Sequence, residues 1–167
     1  MDRRKRKTQA AITQALLSQL QKSDFATITV SQLCELADIN RGTFYLNYLD
    51  KFDLLERVIQ TEIDTLITYC QTSEDTSQPL TATFAYLTEH KNRFSLLIKA
   101  DTQDVFSSYL VRYLLKSELA NASSSQTEAI FIANGVVGVL KNFLLNPKSN
   151  GNELIELEVF IAKFKKV

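Results

Sequence analysis

Between Ile28 and Leu54 the chain writes out the start of a helix three times, and each start carries its own cap. In Thr29-Val30-Ser31-Gln32 a threonine stands three residues before a glutamine. That is the spacing of a capping box, in which the Thr29 hydroxyl accepts the Gln32 amide and the Gln32 side chain reaches back to the Thr29 amide. Ile28 before the cap and Leu33 after it are placed to close as a hydrophobic staple. Val30, Leu33, Cys34 and Ala37 then recur at i, i+3, i+4 and i+7, one inward stripe on a helix of about two turns. Cys34 lies on that stripe and reads as packing. Asp38-Ile39-Asn40 separates this helix from the next, with Asn40 a favoured N-cap and Ile39 and Phe44 spaced as a second staple. Leu49-Asp50-Lys51 repeats the pattern, with Asp50 as cap and Leu49 and Leu54 as staple, and opens a long helix through Leu55, Val58, Ile59, Leu66 and Cys70.

Helix, tight turn and short helix make helix-turn-helix spacing. A further amphipathic helix precedes it, with Ile12, Ala15, Leu16 and Leu20 inward between Lys5 and Lys22, and Phe25 and Ile28 plug the connection. Arg41, Thr43 and Tyr45 are left on the outer side of a helix too short and too polar to be structural filler. Such a helix makes sense when a DNA groove covers it. A generic bundle accounts for the stripes and leaves Arg41, Thr43, Tyr45 and Lys51 without a purpose. Arg41 and Thr43 suit base edges, because a guanidinium forks onto guanine and a threonine meets either kind of edge. Tyr45, Thr29 and Lys51 suit phosphates, the last two aided by helix N-termini that present free amides and partial positive charge.

The run Thr29-Val30-Ser31-Gln32-Leu33-Cys34-Glu35-Leu36-Ala37-Asp38-Ile39-Asn40-Arg41-Gly42-Thr43-Phe44-Tyr45, followed by Tyr48, Lys51, Leu54 and Leu55, resembles the DNA-binding signature of the TetR family. The resemblance covers roughly residues 5 to 60. It implies a homodimer whose two third helices enter successive major grooves of a palindromic operator, with the starts of helices two and four against phosphates. It also implies a C-terminal helical region that senses a small-molecule effector and dimerises. Asp38 stands where a turn glycine is common and Asn47 where a histidine is frequent. Asp tolerates a left-handed turn, and Asn47 retains a donor for phosphate. Leu46 replaces a residue often polar or basic, and either weakens backbone contacts or meets a thymine methyl. The candidate DNA-binding residues are therefore Thr29, Arg41, Gly42, Thr43, Tyr45, Asn47 and Lys51. Arg3, Arg4 and Lys5 join them from a basic N-terminal arm that reads equally as a minor-groove or backbone contact and as a solvated tail.

Composition narrows the fold class. Only Pro79 and Pro147 interrupt 167 residues in which strong helix formers abound, so an all-α chain of about nine helices is expected. The N-terminal three-helix domain spans residues 1–57, its fourth helix continuing to about 70, and a helical effector-binding and dimerisation domain fills 58–167. Net charge is zero, but residues 2 to 7 carry five positive charges against one negative. Cys34, Cys70 and the single His90 have no metal or thiol-redox spacing. No metal, cofactor or catalytic constellation is expected, and an enzyme is not. No apolar run reads as a signal or membrane span, so a cytoplasmic protein is expected.

After a polar loop at Gln71 to Gln78, Pro79 opens a fifth helix striped by Leu80, Phe84 and Leu87; Phe94, Leu97 and Ile98 stripe a sixth. Phe106, Tyr109, Leu110, Tyr113 and Leu114 stripe a seventh, capped by Asp101. Tyr69, Phe84, Tyr86, Phe94, Phe106, Tyr109 and Tyr113 are candidates to line an effector cavity, but an aromatic stripe at helical spacing is what any bundle needs, and most of them read as core. Ser125 and Glu128 form a capping box before a helix that is apolar nearly all round, which calls for a second copy of the chain as cover. Gly135 and Gly138 inside it imply close helix approach. A last helix follows Asn146-Pro147 with Leu154, Leu157, Ile161 and Phe164 on one face and Ile155 and Val159 flanking it. The expected dimer residues are Phe131, Gly135, Gly138, Leu140, Leu157, Ile161 and Phe164. The function expected is a repressor released from its operator by an effector, the alternative being a TetR-like co-activator that binds a partner protein without DNA.

Overall fold

The computed structural model describes residues 3–72, 79–117, 123 and 125–164. Among them every regular element is helical: α1 (Arg3–Leu20), α2 (Val30–Leu36), α3 (Arg41–Tyr45), α4 (Lys51–Thr72), α5 (Pro79–Glu89), α6 (Lys91–Ala100), α7 (Val105–Leu114), α8 (Gln126–Leu145) and α9 (Asn152–Phe164), with one 3-10 turn at Phe25–Thr27. The all-α expectation holds. Most of the loop foreseen at Gln71 to Gln78 and the Phe164 side chain lie outside the described residues.

The caps are where local chemistry puts them. Asp24 accepts the Ala26 amide at 2.9 Å and starts the 3-10 turn. Thr29 and Gln32 form both halves of the capping box. Asp38 adopts φ 51°, the left-handed region that Asp tolerates better than most, and turns the chain into the Asn40 cap of α3. Asp50 accepts the Phe52 and Asp53 amides at 2.8 Å each, and Asp53 returns the favour to the Leu49 amide at 2.8 Å. The staple expected there is absent: Leu54 is fully buried, but Leu49 is 78% exposed. The basic run does not form an arm either, because α1 already begins at Arg3 and its exposed residues 3–7 lie within the first two helical turns.

One hydrophobic core runs from Ile12 in α1 to Ile161 in α9. α1 packs on α6 as well as on α2, α4 packs on α5, α6 and α7, and α8 lies against α6, α7 and α9. Polar pins bind α4 to its neighbours. Arg93 of α6 pairs with the buried Glu62 at 2.5 Å, Tyr109 of α7 donates to Asp64 at 2.8 Å, and Cys70 meets the Thr83 hydroxyl of α5 at 3.2 Å. Asp101 accepts the Val105 and Phe106 amides at 3.0 and 2.9 Å, so it serves α7 from four residues upstream, while Asp104 immediately before the helix sits at φ 54° and is held by Lys141 at 2.6 Å.

α8 is long and apolar enough to cross a membrane by length and composition, which the sequence reading did not foresee. One of its sides is closed within the protomer by Ile132, Val136, Leu140, Phe143 and Leu144. Of the expected dimer set, Leu140 is buried in the protomer's own core, contrary to its assignment to a partner, while Leu157 and Ile161 are largely buried but still line the groove between α8 and α9. Phe131, at 67% exposure, faces outward, as do Gly135 and Gly138, and with them Ile130, Ile155, Val159 and Phe160. Between α8 and α9, Phe131, Gly135, Gly138, Phe160 and the buried Leu157 and Ile161 border an open apolar groove of about 610 Å³.

Candidate nucleic-acid interface

The short α3 is fastened from inside by Phe44, fully buried, whose ring meets Tyr45 edge-on at 5.5 Å and Tyr48 at 5.8 Å. The Asn40 side chain accepts the Thr43 amide at 2.7 Å. Gly42 is part of the same cap: a Cβ there would come within 3.2 Å of the Asn40 carboxamide oxygen, so a larger residue would press on the capping side chain. With its inner side closed in this way, α3 presents Arg41 and Tyr45 outward, with Thr43 half-buried between them.

Arg41 is held across the motif in the free protein. Its Nη1 donates to Ser31 Oγ of α2 at 3.0 Å and its Nη2 to the Tyr45 hydroxyl at 3.2 Å, with the guanidinium 5.9 Å from the centre of the Tyr45 ring. Five guanidinium donors leave N–H groups for a base edge after these two bonds. Ser31 was not among the sequence candidates. Its exposed position in the first turn of α2 was the available signal, but its partner lies ten residues away across the turn.

Asn47 and Lys51 do not stand as expected. The Asn47 amide donates to the Thr43 carbonyl at 2.8 Å, closing the end of α3, and its Oδ1 is buried without a hydrogen-bond partner among the described residues. Lys51 turns inward. Its ammonium donates to the carbonyls of Phe25, Ala26 and Ile28 at 2.9, 2.9 and 2.8 Å, so its three N–H groups are all engaged, and the phosphate role foreseen for it does not fit this geometry. Thr29 is exposed at the start of α2, and Arg3, Arg4 and Lys5 are exposed at the start of α1. Leu46, at 82% exposure, and Leu49 add apolar side chains to the same end of the headpiece.

The aromatic residues proposed for an effector cavity mostly close on one another. Phe94 and Phe106 are buried and meet edge-on at 6.2 Å, and Tyr86 contacts Tyr69, His90 and Phe94 at 5.0, 4.2 and 6.3 Å. Burial, reinforced by the Glu62 carboxylate, pushes the Tyr86 phenol above its usual range. Its bond to Asp64 does the same for Tyr109. Phe84 and Tyr113 pack partly buried against this core.

No protein-family model matches the chain. It is 30% identical over 104 residues to the uncharacterized HTH-type transcriptional regulator YxbF of Bacillus subtilis (strain 168), a match that takes in 54% of this chain and 26% of that protein. The chain thus spans about a quarter of that relative's length. In structure it is similar to the dihydroxyacetone kinase operon activator DhaS, with a TM-score of 0.60 and 21% identity over 95% of this chain and 93% of that one.

Proposed function

We propose that this chain is a DNA-binding transcriptional regulator of the TetR type, working in the cytoplasm as a homodimer. Residues 1–57 form the reading head and 58–167 the body. The observation that carries the proposal is the outer face of the helix-turn-helix. Arg41, Ser31 and Tyr45 make an exposed donor array on a helix whose inner side is closed by Phe44, and the capped starts of α2 and α4 flank it. An array of this kind fits the major groove, with Arg41 and Thr43 at base edges and the helix N-termini toward phosphates. The likeness to a helix-turn-helix regulator in sequence and to an operon activator in fold supports the same reading.

The dimer in this proposal forms through the outward faces of α8 and α9. Phe131, Ile155, Val159 and Phe160 would be covered by the same residues of a second copy, as a two-fold axis requires. The regulator acts as a repressor, occupying a palindromic operator until an effector bound in the body changes the separation of the two heads. Footprinting on the DNA upstream of its own gene tests the binding, with Arg41→Ala as control, and transcription in vitro reads the sign. A protected palindrome that Arg41→Ala abolishes supports the proposal. Equal binding by wild type and variant at low salt rejects it, in favour of a co-activator that uses Leu46 and Leu49 to meet a partner protein.

A further inference from the structure

We propose that Lys51 is a positioning residue for DNA binding: its ammonium ties the start of α2 to the start of α4 and so sets the distance between the two helix ends that flank the recognition helix. The proposal rests on the DNA-binding reading above. Lys51 is the first residue of α4, and the carbonyls it grips belong to the connection between α1 and α2, more than twenty residues earlier in the chain. Ile28, the last of them, immediately precedes the Thr29 cap, in extended backbone at ψ 131°. A single side chain therefore fixes where α2 begins relative to where α4 begins.

The ammonium is caged as well as bonded. It lies 4.9 Å from the centre of the Phe25 ring and 5.5 Å from that of Phe52, and the two rings meet edge to face at 5.4 Å. Cation–π attraction and the three carbonyls together hold it facing inward. To touch a phosphate it would give up all of these for one ion pair. The same device recurs elsewhere in the fold: Lys91 donates to the Asn146 and Ser149 carbonyls at 3.0 and 3.1 Å over the Phe143 ring at 4.3 Å, and fastens α6 to the end of α8. Both lysines serve as tertiary clamps.

Two variants separate positioning from phosphate contact. Lys51→Met keeps the stem and removes the charge; Lys51→Arg keeps the charge, but a planar fork does not aim at three converging carbonyls. Binding is read by fluorescence anisotropy on a labelled duplex of about 30 base pairs, long enough for two half-sites a helical turn apart, across a salt series. Expected are roughly tenfold weaker binding in both variants, with the slope of log K against log salt within about half a unit of wild type, because no phosphate pair is lost. Amide exchange over residues 26–33 quickens in both, at temperatures where both remain folded. A slope shallower by about one in Lys51→Met, with Lys51→Arg binding like wild type and exchange unchanged, overturns the proposal in favour of a phosphate contact. Unchanged affinity in both variants overturns it too.

Should Lys51→Met fail to fold, the wild type still decides. Its Lys51 ammonium should give a slowly exchanging 1H–15N signal that stays in place when duplex is added, and a signal that exchanges like the exposed lysines, or moves with DNA, overturns the clamp. A wild type that does not bind duplex removes the functional reading and the positioning role with it. Persistence of the protected ammonium then shows that the clamp itself is intact, so the two failures are told apart.

Discussion

Gly138 lies in the middle of α8, where glycine is about 1 kcal/mol less favourable than alanine. A methyl group built on it meets no atom within 4 Å, and it borders the open groove between α8 and α9. Gly138→Ala therefore stabilises the isolated protomer by about 1 kcal/mol. In the proposed dimer the sign reverses for association. If a partner helix lies against the bare backbone, each new methyl overpacks the contact by about 1–3 kcal/mol, and the two-fold axis places one on each side. At the low end this is about 2 kcal/mol, close to a thirtyfold weaker dimer. Sedimentation equilibrium gives the dissociation constant, and urea unfolding over a range of protein concentrations separates protomer stability from the dimer's contribution. A variant that is more stable and dimerises as tightly as wild type would refute the reasoning, since the glycine would then face no partner.

Other outcomes follow from the same structure. Arg41→Ala should weaken operator binding by about 1–3 kcal/mol, or roughly 5- to 150-fold, and narrow the gap between operator and scrambled duplex in competition anisotropy. Asp101→Ala leaves the Val105 and Phe106 amides without their acceptor and should lower stability by about 1–2 kcal/mol in urea unfolding. The Asp104 carboxyl is held below its ordinary range by hydrogen bonds from Lys141 and Ser107, so the stability it contributes is present above about pH 4 and lost as pH falls through its folded-state value. Because that carboxylate is more than half exposed, Lys141→Met should flatten the acid limb of the stability curve by less than about 1 kcal/mol, as read by denaturation between about pH 2 and 6.

What could be read from the sequence was what depends on neighbours three or four residues away. Thr29 with Gln32, Asn40 with Thr43 and Asp50 with Asp53 are such pairs, and they sufficed to mark the starts of α2, α3 and α4. The outer face of α3 followed once Phe44 was assigned inward. What escaped depends on approach between distant segments. A lysine beside a helix N-terminus reads as solvent-facing until the 3-10 turn at Phe25–Thr27 arrives to receive it. Leu49 had the spacing of a staple but stands exposed, and it is Phe52 that packs back, edge to face on Phe25. In α8 nearly every face is apolar, and periodicity does not say which face the protomer covers itself; that is why Leu140 was assigned to the partner and Ile130 was not. The aromatic stripes were equally ambiguous, and the Phe94–Phe106 contact puts those two in the core.

The start of α1 departs from what a helix needs for itself. Arg3, Arg4, Lys5, Arg6 and Lys7 occupy its first two turns, all exposed, with no acidic residue in the first turn. A helix N-terminus carries about half a positive charge, so each cation there is unfavourable by a few tenths of a kcal/mol, most strongly at low salt. Approaching phosphates turn that repulsion into attraction and release counterions, at about 0.9 in the salt slope for each phosphate neutralised. Replacing Arg3, Arg4 and Lys5 with glutamine should therefore have two opposite effects. Amide exchange in the first two turns of the free protein slows, while the salt dependence of DNA binding becomes shallower by up to about 2.7 per protomer. If the slope does not change, the basic turns face away from the duplex, and the phosphate contacts must come from the ends of α2 and α4 alone.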